Sequence, residues 1–465
     1  MYNCHLLYLR IRSYIFVVLL LVFTGSKEVF GQASDHRPSG LQITTFDVDA
    51  TPPVGSLLTY NPEINTWDLG LRAKGIILLG AGEPIVLCSV DWIGIANEGQ
   101  DAFRQALADA AGTIPGRVSI HTVHQHDAPT CDFGAEKMLK DAGLDPMCFE
   151  GTFAREVIMR LKTAVKESFD HAQKVTHIGL GEAEVYKVAS NRRIIGSDSL
   201  LRATRYSSCT DSALRAEPEG LIDPMVSLVS FWNADKPVAV LSYYANHPQS
   251  YYRTGVANPD YPGVARFLRQ LAVPQALHIH FNGAGGNLTA GKYNDGSPEN
   301  RIVLAERLAD GMKRAWKATI REPVTVDSIG WAVESISLPS VKYQEDVQKW
   351  LTTKDPIFLS NNLSKLVFLN RTQQGKQLDI KCLRAGRSRI LFAPGELFIE
   401  YQLAAKAMRP DLFVAMAAYG DYAPGYICTA VAYKEGGYES GIASGVTAEA
   451  EDILMNAIRK LLLTK

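Results

Sequence analysis

The chain has 465 residues, of which 46% are hydrophobic and 21% charged, and its formal net charge is −1. That is long enough to bury one large core or two moderate ones. The near-balanced charge leaves no basic surplus to hold a phosphate backbone, which argues against nucleic acid as a partner, and no run of like charges forms an acidic or polybasic tail.

Arg10 and Arg12 precede an apolar block at 14–23, and small and polar residues follow through Ala33. A positive flank, a short apolar block and a small-residue exit are the pattern of an export signal. The block falls short of the roughly 20 residues that a bilayer crossing takes; a retained anchor is the competing reading. Cleavage is expected between Gly25 and Ser34, making 1–33 a signal peptide and 34–465 a soluble mature protein, secreted or periplasmic. Cys4 leaves with the signal. The remaining Cys88, Cys131, Cys148, Cys209, Cys382 and Cys428 are even in number, which permits disulfides in an oxidising compartment. Cys88 and Cys382 lie in or beside apolar runs and also read as buried thiols, while a bridge among Cys131, Cys148 and Cys209 is open. No C-x-x-C pair occurs, so a cysteine zinc site has no support.

Along the mature chain no sequence repeat, low-complexity block or Pro/Ser-rich linker is visible. Residues 74–79 and 84–90, joined at Gly80-Ala81-Gly82-Glu83, are predicted as a hairpin. A helix is expected near 98–111 and a strand at 118–122. Phe153, Val157, Leu161 and Val165 recur every four residues and predict the next helix. Residues 225–232 and 238–244 form a second expected hairpin. Ala305, Leu308, Met312 and Ala315 make one helical stripe, 337–377 is the least regular stretch and a candidate insertion or lid, and a last helix is expected at 447–462. Strands mixed with helices, with at least two hairpins, predict an α/β fold of mixed β-sheets layered with helices in a single large catalytic domain.

Four segments share one arrangement: an apolar strand ends and a short loop immediately presents polar residues. They lead into His124-Gln125-His126-Asp127-Ala128-Pro129, Asn246-His247-Pro248, Pro394-Gly395-Glu396, and Tyr419-Gly420-Asp421-Tyr422-Ala423-Pro424-Gly425-Tyr426. Strand-end loops are where rigid scaffolds place functional groups. Imidazole and carboxylate are the usual ligands of a catalytic zinc. On an extended chain His124 and His126 would project to one face and His121 elsewhere. Each histidine alone reads more readily as a hydrogen-bonded structural residue; the combination of the His-x-His with His247 and Glu396 brings a metal site level with that reading.

The spacing of Tyr426, Tyr433 and Tyr438-Glu439, the Pro394-Gly395-Glu396 loop and the His-x-His-x-x-Pro run at His124 resemble the neutral/alkaline non-lysosomal ceramidase family. So do the opening Asp47-Val48-Asp49-Ala50-Thr51-Pro52-Pro53-Val54-Gly55 and the Asn191-Arg192 pair. The resemblance runs from about Leu41 to Ala450. It implies a zinc (Zn2+) amidohydrolase with metal ligands at His124, His247, Glu396 and Tyr426. It places His126, Tyr438 and Arg192 in catalytic positions, with Arg193 as the neighbouring alternative to Arg192. The substrate class it implies is a ceramide-like lipid, with peripheral membrane contact as a corollary. Zinc would acidify its water and polarise the acyl carbonyl, and Tyr438 with a protonated His126 would serve as donors to the developing oxyanion.

Two departures qualify the resemblance. The loop Asn282-Gly283-Ala284-Gly285-Gly286-Asn287 has no serine where the family has one, so no serine nucleophile is expected and the loop reads as a tight turn near the site. It also lacks the Lys-Ser/Thr of a phosphate cradle. The family's C-terminal immunoglobulin-like domain is not expected within 34–465. Alternatives are a zinc hydrolase of another exported amide or ester, or a ligand-binding relative without turnover. Asn-x-Ser/Thr triplets begin at Asn287, Asn362 and Asn370.

Overall fold

The computed structural model describes residues 40–60, 62–341 and 356–464. The expected export segment lies outside the described residues, as do 342–355 of the expected lid. The first predicted hairpin is formed by Arg72–Gly80 and Gly82–Val90, and the second by Met225–Asn233 and Lys236–Tyr244. Their central residues are buried almost without interruption, which is why they read as apolar runs rather than as alternating patterns. The expected helices form at Asn97–Ala111, Thr152–Ser168, Glu299–Lys317 and Ala450–Leu463, the last beginning three residues later than the sequence pattern placed it.

The sheets repeat one plan, which corrects the reading of a chain without repeats. In the first, Gln42–Asp49 pairs antiparallel with Arg72–Gly80, which pairs antiparallel with Gly82–Val90; after the helix Asn97–Ala111, Val118–Thr122 is added parallel to Gly82–Val90. The second sheet does the same with His177–Glu184, Met225–Asn233, Lys236–Tyr244, the helix Asp260–Ala272 and Leu277–Asn282. The third uses Ile329–Ile336, Leu378–Ala385, Ser388–Phe392, the helix Ile399–Met408 and Phe413–Ala417. A further helix follows each unit and packs beside the crossover helix: Thr152–Ser168, Glu299–Lys317 and Ala450–Leu463 respectively. The recurrence is one of topology, carried by different side chains, so no repeat of residues betrays it.

Apolar faces of the three sheets share one core cluster, which takes in Ile76 and Leu87, Phe231 and Phe281, and Ile390 and Phe392. Outside it, each sheet has its own helical cover. The parallel strands end side by side: Thr122 N–H donates to Tyr419 O at 3.0 Å, Ala418 N–H to Asn282 O at 2.9 Å, and Asn282 Nδ2 to Val123 O at 3.2 Å. These three bonds close a ring between the three units; His124 and Tyr426 are on loops that leave it, and His247 and Glu396 on loops that leave the neighbouring strands Lys236–Tyr244 and Ser388–Phe392.

Residues 356–373 of the expected lid are an ordered helix, Pro356–Gln373. Cys88, Cys131, Cys148, Cys209, Cys382 and Cys428 are buried free thiols, so the bridge left open among Cys131, Cys148 and Cys209 does not form. Asn287 and Asn362 are buried and closed to a glycan, whereas Asn370 is exposed.

Candidate metal centre

His124 leaves the first sheet, His247 the second and Glu396 the third. The extended His-x-His of the sequence reading is corrected here: the strand stops at Thr122, and His124 turns into the left-handed region at φ 70°. The turn lets His124 N–H bond Trp92 O at 2.9 Å. Histidine tolerates this conformation better than most non-glycine residues. His124 and His126 still meet, with ring centroids 5.1 Å apart. His121 faces elsewhere, bonded to Ala418 O at 2.7 Å and Ser119 Oγ at 2.9 Å, and burial pushes its pKa down to about 3.

Proton positions follow from partners that can only accept. His124 Nδ1 lies 2.7 Å from Ile93 O, so Nδ1 carries a proton and, in the neutral ring, Nε2 a lone pair. His126 Nδ1 lies 3.0 Å from Pro248 O, so its Nε2 is an acceptor too, and His247 Nε2, 3.2 Å away, donates to it. His247 Nδ1 is left with a lone pair. Glu396 Oε1 accepts from Tyr422 O–H at 2.7 Å, while Oε2 stands 3.3 Å from His124 Nε2 and 3.8 Å from His247 Nδ1. Those three atoms, His124 Nε2, His247 Nδ1 and Glu396 Oε2, are buried and have no hydrogen-bond partner. Three lone pairs therefore face one another on side chains no more than 2% exposed. In a low-dielectric site that arrangement suits a shared proton or a metal ion between them.

Distance alone groups the imidazoles of His124, His126 and His247, whose ligand atoms lie within 4.8 Å of one another, as a set able to hold a metal ion. Proton accounting puts Glu396 where distance puts His126, because both His126 nitrogens already have partners. Tyr426 sits beside this set. Its residue pairs directly with Glu396 in the two-residue parallel ladder Glu396–Leu397/Tyr426–Ile427, and its ring stacks on His247 at 6.5 Å. Burial, with the Glu396 charge adding to it, holds the Tyr426 phenol well above its ordinary pKa, so it is neutral without a metal.

Arg192 links the remaining residues. Its backbone N–H bonds Asn287 O at 2.8 Å and its guanidinium bonds Leu288 O at 2.9 Å, just past the glycine loop. From there Nη1 donates to Tyr426 Oη at 3.3 Å and to the Tyr438 hydroxyl. Arg193 points the other way, to Glu439 and Glu435, each at 3.1 Å. Burial raises Tyr438 to about 12 against the pull of Arg192, so it stays a proton donor at neutral pH. The protonated His126 of the sequence reading is corrected: burial, reinforced by the His124 ring, drives its pKa well below the usual imidazole value. It is an acceptor at rest.

The glycine loop is the tight turn expected. A Cβ on Gly286 would lie 2.5 Å from Glu396 O, and one on Gly285 2.5 Å from Asn246 O. Only bare backbone fits between the two ligand-bearing loops.

All seven residues singled out from sequence line one cavity of about 660 Å³. Sequence reasoning missed several of its walls. Tyr60 stacks on His126 at 5.8 Å, Tyr252 meets Tyr60 edge-on at 5.2 Å, and Tyr422 lies 5.3 Å from the His124 ring, while Tyr419, behind the lining, stacks on His124 at 4.4 Å. Tyr419 and Tyr422 stand in a strand-end segment whose polar character was legible; Tyr60, Tyr252 and Lys365 carry no local pattern that points to the site.

No family model matches the chain, and no curated protein matches it in sequence. Two solved structures do match in three dimensions. The crystal structure of neutral ceramidase from Pseudomonas aeruginosa superposes with a TM-score of 0.65 at 14% identity, covering 91% of this chain and 74% of that one. A structure of ceramidase complexed with C2 gives 0.65 and 14%, covering 91% and 75%. The chain therefore has the neutral ceramidase fold, as the sequence motifs anticipated. Within that fold it carries a buried histidine cluster able to hold a metal ion.

Proposed function

We propose that the protein is a zinc-dependent hydrolase of N-acyl amides, exported by its 1–33 segment, with 34–465 as one catalytic domain and ceramide-like lipids as the leading substrate class. One observation carries the reading: three buried lone pairs, from three separate sheets, converge on one point beside a 660 Å³ cavity. The likeness to ceramidase structures supports the substrate class, and the N-terminal sequence pattern supports export.

His124, His247 and Glu396 would hold the ion, with Tyr426 as fourth ligand. Two imidazoles and a carboxylate suit zinc, and the phenol would be an unusual fourth ligand. Zinc, when bound, supplies Lewis acidity toward water and the acyl carbonyl. Ile93 O and Pro248 O fix the imidazole tautomers and hence the directions of the lone pairs. Tyr422 holds Glu396 by its other oxygen. Tyr438 O–H, kept protonated by burial and aligned by Arg192, is placed to donate to charge developing on the acyl oxygen. His126 Nε2, neutral at rest, accepts from His247; exchanging that bond for one from the attacking water would let it take a proton and return it to the leaving amine. Tyr60 and Tyr252 close over His126 and limit its access to solvent.

Metal analysis of the purified protein should give about one zinc per chain, from the single converging set. His124→Ala and Glu396→Ala should lose both zinc and hydrolysis while remaining folded, and Tyr438→Phe should keep zinc but lose about 10²–10³ in kcat. A folded protein without zinc, or unchanged turnover in the alanine variants, would reject the assignment. A fluorescent short-chain ceramide assayed beside simple acyl amides tests the substrate class.

A further inference from the structure

We propose that the cavity departs from the substrate class its fold suggests: within the N-acyl amides it selects one bearing an anionic group, an acylated amino acid rather than a neutral sphingoid amide, and Lys365 reads the negative charge. For turnover this rests on the hydrolase reading; for binding it rests on the cavity alone.

Asn362 and Lys365 lie three apart on the helix Pro356–Gln373, and both line the cavity. They are 2% and 4% exposed. The Lys365 stem crosses two glycines of the loops that carry Tyr426 and Tyr438's neighbours: a Cβ on Gly445 would come within 3.2 Å of its Cγ, and one on Gly425 within 3.6 Å of its Cδ. At its tip Nζ donates to Ile442 O. An ammonium has three N–H donors, and among the described residues no carboxylate lies within ion-pair distance of this one. The one charge that reaches it is the more distant Glu396, which favours the ammonium, while burial lowers its pKa to about 8. At neutral pH it is mostly charged. Asn362 gives Nδ2 to Phe358 O at 2.8 Å, and its buried Oδ1 has no partner.

Other buried or half-buried lysines are answered differently. Lys406 meets Asp223 at 2.8 Å and Lys74 meets Asp47 at 3.1 Å. Lys381, also without an ion pair, lines a pocket of about 20 Å³, room for water only. Lys74 and Lys406 also line open pockets, of about 690 and 450 Å³, but each has its carboxylate; Lys365 alone among these joins a ligand-sized space to the lack of an ion pair. A cation buried without a counter-charge is disfavoured, so its place on the cavity wall is explained by an anion that arrives with the ligand. Asn362 Oδ1 asks for an N–H or O–H donor in the same ligand. An acyl chain, an amide and a carboxylate satisfy the aromatic wall, Asn362 and Lys365 together. Hydrolysis breaks the amide C–N bond; hydroxide from water goes to the acyl carbon and a proton to nitrogen, releasing a fatty acid and an amino acid.

The test titrates the full chain, zinc-loaded and metal-stripped, with N-octanoylglycine and with the neutral N-octanoylethanolamine. The proposal expects about tenfold tighter binding of the glycine conjugate in both metal states. Lys365→Met should abolish that preference without lowering Tm, and Lys365→Arg should retain most of it. Equal affinity of the wild-type protein for the two amides would overturn the proposal, as would a Lys365→Met variant that weakens both alike. The preference without hydrolysis of either amide would sink the hydrolase reading and leave this one standing; equal affinity with rapid hydrolysis of both would do the reverse.

Discussion

His124 shows how much of the centre depends on single atoms. Its left-handed backbone turns the ring so that Nδ1 meets Ile93 O and Nε2 is released toward Glu396. Conformations of this kind cost about 1–3 kcal/mol and persist where surrounding bonds over-determine them. The residue types of the centre were legible, because imidazole, carboxylate and phenol at strand ends are chemically suggestive. Their protonation was not, since it depends on which carbonyl each Nδ1 meets. Lys365 offers a residue-scale prediction with a definite sign. Its folded pKa of about 8 lies below the ordinary 10.5. Below pH 8 the buried ammonium penalises the fold in full. Between pH 8 and 10.5 the unfolded chain holds the proton that the folded chain has released, so stability rises with pH. Lys365→Met should therefore be more stable than the wild type at pH 7, by on the order of 1–3 kcal/mol, with the gap narrowing toward pH 10. Urea denaturation at the two pH values measures it, and a less stable variant at pH 7 would refute the argument.

Elements bring the pieces within reach of one another. Arg192 and Arg193 are adjacent on an extended segment, so their side chains point to opposite sides. The first enters the cavity and the second clamps Glu439 and Glu435, in the stretch that carries Tyr438. Glu439 is fully buried and Arg193 is its only ion-pair partner among the described residues. Arg193→Met should cost about 3–5 kcal/mol, because it leaves that carboxylate uncompensated, and should also lower kcat by loosening Tyr438. Denaturant midpoints and steady-state rates test the two effects together; a variant of wild-type stability would show that the clamp is unimportant. At this scale the hairpins and amphipathic helices were readable from period and turn residues. The ladder that sets Glu396 beside Tyr426 was not, since two residues of pairing leave no periodicity.

At the scale of the whole molecule, three topologically equivalent units each send a loop to the same point, and a ring of three hydrogen bonds fastens the ends of their last strands to one another. A cation there would tie together the first, second and third sheets at once. Metal binding should therefore stabilise the entire fold: free zinc at about 100 times its Kd adds about 2.7 kcal/mol. A calorimetric scan should show a single transition that moves to lower temperature on chelation and recovers with zinc. A transition indifferent to chelator would mean that the lone pairs are not bridged by metal.

The sequence by itself determined the layered α/β class, most element positions and the kinds of side chain that gather at strand ends, because each of these is written in local periodicity and local chemistry. The tertiary structure alone decided that three sheets follow one plan, that His126 is an acceptor, that Arg192 rather than Arg193 faces the cavity, and that a buried lysine lines its wall. Those are relations between residues far apart in the chain, and only packing converts such separations into bonding distances.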